Sequence, residues 1–106
     1  MKLVRMNKSN GTWQRLESQW REQCTKYNED FDVYAEASLG TLRDECDDGN
    51  PDGDTGVFSL LDQNGENHAV CFLNRAAIPG WAGVVLRVRH LVLSPYYDFE
   101  ALEIED

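Results

Sequence analysis

Three groups of side chains in this sequence have types and spacings that could do chemistry. The first lies in "DDGNPDGDTG". Asp48, Asn50 and Asp52, with Gly53 next, match the first six places of a calcium-binding loop, and Asp54 at place seven would lend a backbone carbonyl. Place twelve, where a bidentate Glu belongs, is Ser59. The same stretch also reads as a solvated Gly/Asp/Pro turn, and both readings stay open at this point. The second group is His68, His90 and Cys71. A Cys/His nucleophilic pair is conceivable, but Cys71 follows His68 by three residues, which puts the two on opposite faces of a strand. His90 falls among apolar residues and is expected to be a satisfied core histidine. The third group is aromatic. Trp81 sits in "IPGWAG", and with Tyr96 and Tyr97 it could line a pocket, with Arg87 and Arg89 as a polar rim. The simpler reading has Trp81 packed onto its own domain.

Acids dominate the rest. From Asp44 to Glu66 there are eight acids and no base, and the last nine residues hold five more. Asp44, Asp47, Asp48, Asp52 and Asp54, with Glu100 and Glu103, could meet a basic surface on another protein. No G-x-S-x-G, P-loop or H-E-x-x-H motif is present, and no catalytic residue is assigned.

The balance is 19 acids against 10 bases, a net charge of −9 over 106 residues. That opposes direct nucleic-acid binding, which draws its affinity from phosphates neutralised by Lys and Arg. It opposes an anionic membrane too, and favours a cationic partner or plain solubility. Cys24, Cys46 and Cys71 are odd in number and match no metal knuckle, so they are expected to be reduced core thiols of a cytoplasmic protein. No run approaches the length of a membrane span.

These groups need elements to hold them. Lys2 to Met6 reads as an opening strand. Trp13, Leu16, Trp20, Cys24 and Tyr27 are spaced 3, 4, 4 and 3, a helical stripe that Thr12 could cap. Glu17 and Arg21 lie four apart on its outer face, in the favourable order. A second helix is expected from about Val33 to Cys46, capped by Asp32 and carrying Ala35, Leu39, Leu42 and Cys46 inward, with Gly40 weakening it by about 1 kcal/mol. The period then becomes two. Val57–Leu61 and Ala69–Leu73 flank Asn64-Gly65, a hairpin signal in which both turn residues take positive φ. "VVLRVRHLVLS" supplies a further strand, with Arg87 and Arg89 on one face and Val84, Leu86, Val88, His90 and Val92 on the other. The fold class is α+β: one domain over residues 1–106, built as strand, two helices and an antiparallel meander with helices on one face, and an acidic tail at 98–106.

Leu93, Ser94, Pro95 and Tyr97 end that strand as the fourth strand ends in the GNAT family of N-acetyltransferases, and the element order resembles the first half of that fold. The resemblance implies a coenzyme-binding turn next, with Arg or Gln three residues after the proline and glycines six and eight after it. Asp98, Ala101 and Glu103 stand there instead. Two like charges about 4 Å apart repel by roughly 4 kcal/mol near a surface, so this tail is expected to reject a pyrophosphate, and no cofactor is expected. The chain also stops before the elements that complete the family's cleft, which leaves the sheet open and suits a homodimer. The leading expectation is a small acidic, non-enzymatic interaction protein, an inhibitor or binder of a partner with a basic surface. The alternative is a GNAT-related domain binding a small molecule in an aromatic pocket.

Overall fold

The computed structural model describes residues 1–46, 55–77, 80 and 83–97. Strand β1 (Lys2–Arg5) leads into helices α1 (Thr12–Lys26), α2 (Phe31–Ser38) and α3 (Gly40–Glu45). Strands β2 (Gly56–Leu61), β3 (Asn67–Ala77) and β4 (Val84–Leu93) follow. The four strands form one sheet in the order β1-β2-β3-β4, antiparallel throughout. The helices pack on one side, which is the α+β arrangement that the change of period predicts.

The stripe on α1 is the reason the helix forms where it does. Trp13, Leu16, Trp20 and Cys24 are buried against Phe31, Ala35, Leu39, Leu42 and Cys46 from the next two helices. Met6, Val57 and Val70 complete this core, with Phe72 and Val92 packed against it. Thr12 is the first helical residue rather than the cap. Gly11 takes the cap position at φ 81°, and the Thr12 hydroxyl accepts from the backbone N–H of Asn7.

The second predicted helix is two helices. Leu39 sits at the break with φ −106° and ψ −8°, and Gly40 opens α3. Its lack of a Cβ makes this the weakest point of the stretch, and breaking there lets both short helices bury their own apolar residues. The cap is Asp30, whose carboxylate accepts from the Asp32 N–H. The exposed Asp32 pairs instead with Arg21 at 3.3 Å, and Glu17 pairs with Arg43 at 2.9 Å. Glu17 and Arg21 therefore join α1 to its neighbours rather than to each other.

The hairpin forms at the predicted place with a different turn. Gly65 has φ 80°, whereas Asn64 is not among the residues with positive φ. The Gly65 N–H donates to Asp62 O, and the register shifts between Leu60 and Leu61. This matches a type I turn followed by a left-handed glycine and a bulge, with the Asp62 side chain fixing it by accepting from the N–H groups of Asn64 and Glu66.

A second bulge changes β4. Val92 pairs with Val70, but Arg89 pairs with Phe72, so three residues of β4 span two of β3. His90 absorbs the excess at φ 55°, a conformation in which His is enriched among non-glycine residues. The alternation flips there. Val88 leaves the face of Val92 and pairs with Leu73 on the opposite side, while Arg87 and Arg89 take the helix-side register. His90 is exposed, not a core histidine.

The sheet face away from the helices is apolar. Leu3, Leu60, Ala69 and Leu93 form a row across all four strands, with Phe58, Cys71, Leu73 and Val88 beside it. Leu3, Val88, Leu91 and Leu93 are exposed. Cys24, Cys46 and Cys71 are all buried, and burial pushes the Cys71 thiol up. Among the described residues no helix is long and apolar enough to cross a membrane.

Candidate functional site

One end of the helix-side face holds a connected set of polar side chains, and α1 organises it. Gln19 and Gln23 are one turn apart, so their side chains share a face. Gln19 clamps the hairpin: its Nε2 donates to Gly65 O, and its Oε1 accepts from the backbone and side-chain N–H groups of Asn67 at 2.9 and 2.8 Å. Gln23 Oε1 accepts from the Tyr96 N–H at 3.0 Å, which ties down the segment after β4. That segment begins a helical turn at 95–97 and is anchored by buried Ser94, whose N–H donates to His68 O. Trp20 Nε1 donates to Asn67 O from the core side.

Between these clamps lies a cleft of 590 Å³ lined by α1, the hairpin turn and the segment after β4. Its size suits a small organic molecule. Tyr27, Tyr96 and Tyr97 bring phenol rings to it, Lys26 a cation, Glu66 a carboxylate, and His68 an imidazole. Tyr96 and Tyr97 meet edge to face, 5.3 Å between centroids, which holds both rings in place. Lys26 Nζ lies 5.3 Å from the Tyr27 ring centre, close enough for a cation–π contact.

His68 links two walls. Its Nε2 lies 2.8 Å from Asp62 Oδ2 and its Nδ1 2.7 Å from the Tyr97 hydroxyl. Asp62 is held below the ordinary value of 3.8, first by the hydrogen bond from His68 and next by the Glu66 N–H. An ionised carboxylate can only accept, so Nε2 carries a hydrogen, and in the neutral ring Nδ1 accepts from the Tyr97 O–H. The chain Asp62–His68–Tyr97 has the layout of a proton relay. At rest it fastens the hairpin turn to the end of β4.

The sequence-derived candidates fall in different places. Tyr96 and Tyr97 both line the cleft. Arg87 and Arg89 are exposed on β4 and are not among the described residues that line it. Trp81 lies outside the described residues, as do Asp47, Asp48, Asn50, Asp52, Asp54, Glu100 and Glu103. Asp44 is exposed and borders a shallow hollow with Asp32, Glu36 and Arg43. Sequence reasoning missed Asp62, Glu66, Gln23 and Lys26, and weighed His68 only against Cys71. A signal was present: Asp62, Glu66 and His68 straddle a hairpin turn, which brings the two ends of "DQNGENH" together.

A four-stranded antiparallel sheet with helices on one face, and a tyrosine-lined cleft at one end, defines the class as an α+β domain. No family model, curated protein or solved structure matches the chain.

Proposed function

We propose that this domain binds a small organic amine in the cleft between α1, the hairpin turn and Tyr97. The observation that carries the reading is that three tyrosines and an exposed carboxylate, Glu66, line the same cleft of 590 Å³. Glu66 makes no ion pair among the described residues, so its charge is available to an ammonium group. Phenol rings attract a cation by about 0.5–1 kcal/mol each at exposed sites. The net charge of −9 draws cations to the surface and repels anions. Lys26, which sits against Tyr27 and also lines the cleft, suits an acidic or hydroxyl group of the ligand. This is the small-molecule alternative of the sequence reading. Descent from the GNAT family belongs to it as a proposal, supported by element order and by Leu93, Ser94, Pro95 and Tyr97.

Thermal unfolding with three probes tests it. Tyramine is expected to raise Tm by an amount that grows with the logarithm of one plus its concentration over Kd. Benzoate, of reversed charge, and acetyl-CoA are expected to leave Tm unchanged. Equal stabilisation by benzoate, or none by tyramine at millimolar concentration, overturns the reading.

A second reading is the acidic, non-enzymatic interaction protein, which meets a basic protein surface. The hollow bordered by Asp32, Glu36 and Asp44 supports it. Stabilisation by a polylysine peptide that fades as salt rises from 0.01 to about 0.15 M, where the screening length shrinks from about 30 to 8 Å, is its signature. The homodimer belongs to this reading. The apolar row Leu3, Leu60, Ala69 and Leu93, on the sheet face away from the described helices, supports a second copy there, and light scattering at twice the chain mass is its test.

A further inference from the structure

We infer that Asp62, Glu66 and His68 form a zinc-class divalent metal site at the rim of the cleft. The site is distinct from the calcium-loop pattern at Asp48–Asp52, and it rests on the hairpin geometry rather than on the amine proposal.

One ligand atom from each of the three residues falls within 4.8 Å of the other two. Two atoms that each bind zinc at about 2.1 Å in a tetrahedral site lie roughly 3.4 Å apart, so Asp62 Oδ2 and His68 Nε2, 2.8 Å apart, must open by about 0.6 Å and the widest gap in the trio must close by at most about 1.4 Å. Glu66 is exposed and can supply that movement, whereas Asp62 and His68 are held. Asp62 divides its two oxygens between tasks. Oδ1 accepts from the Asn64 and Glu66 N–H groups at 2.8 and 3.1 Å and fixes the turn, which leaves Oδ2 for the His68 side. His68 is oriented from behind by the Tyr97 hydroxyl at 2.7 Å. Metal-binding histidines are commonly fixed in this way through the second ring nitrogen. One imidazole with two carboxylates is a donor set that zinc accepts, with a fourth position open. That position is expected to face the cleft, because Glu66 and His68 both line it. Arg15, beside Gly65, and Lys26, which lines the same cleft, are the nearby cations the metal must tolerate.

In a neutral ring without metal, the Nε2 hydrogen points to Asp62. Zinc takes that position, so the hydrogen moves to Nδ1, and the Tyr97 oxygen changes from donor to acceptor. The proton count of the ring is unchanged. A weakly held ion on an acidic surface causes no such swap.

The test is ring-nitrogen NMR of the full chain during titration with zinc chloride, with no amine present. Nδ1 and Nε2 of His68 are expected to exchange protonation states at one equivalent, while the exposed His90 serves as the internal control. Glu66→Gln is expected to weaken zinc binding at least tenfold, and Tyr97→Phe by about 10–100-fold, the range for partners that orient a ligand. Tyr27→Ala, at the wall of the cleft formed by the end of α1, is expected to weaken tyramine binding and leave zinc binding intact, so the two proposals can fail separately. A His68 tautomer unchanged at saturating zinc overturns the inference. So does a zinc affinity equal in wild type and His68→Ala.

Discussion

Asp62 does three things with one carboxylate: it fixes the turn, orients His68 and faces Glu66. Its lowered proton affinity has a direct consequence for stability. A carboxyl that titrates lower in the folded chain than in the unfolded chain stabilises the fold above its unfolded value, and that contribution is lost as pH falls through the folded value. The window therefore opens at about the ordinary value of 3.8 and runs downward. Urea unfolding followed as a function of pH is expected to show a steeper loss below that point in wild type than in Asp62→Asn. Equal slopes would contradict the hydrogen-bond assignment. At this scale the sequence was partly legible. Tyr96 and Tyr97 stood out because two adjacent aromatics after a strand need somewhere to go. Gln23 and Lys26 did not, because on a helix they look like any solvated face, and only the path of the chain after β4 makes them a wall.

The hairpin between β2 and β3 is the element on which the site depends. Its turn places Asp62 and Glu66 on either side of Gly65, whose φ of 80° is costly for any residue with a Cβ. Gly65→Ala is expected to destabilise by about 1–2 kcal/mol, with the nearby Arg15 side chain moving aside. Denaturant unfolding checks this, and a variant as stable as wild type would contradict the assigned turn. Helix α1 was readable because a stripe spaced by 3 and 4 has one physical solution. The hairpin was readable because Asn-Gly marks a turn. The break at Leu39–Gly40 and the bulge at His90 were not. Both depend on what the neighbouring element offers: the break on how α2 and α3 bury their separate faces, the bulge on pairing with β3. A strict period of two carried through His90 put Val88 on the wrong face.

Across the whole molecule, charge and shape point to the same end. The helix side is closed by a core of tryptophans, leucines and cysteines, and the opposite sheet face is apolar and partly exposed. The polar cleft lies where α1 runs past the hairpin, and the net charge of −9 makes cations the favoured visitors. Composition suggests a sign for the proposed ligand but cannot place it, since acids are spread along the chain and only folding brings Glu66 and three tyrosines to one cleft. The most direct measurement is a chemical-shift map of the isotope-labelled chain titrated with tyramine. The expected result is saturable shifts centred on Gln23, Lys26, Glu66, His68, Tyr96 and Tyr97. Saturable shifts centred on Asp32, Glu36 and Asp44 instead, or none that saturate, would contradict the assignment of this cleft as the binding site.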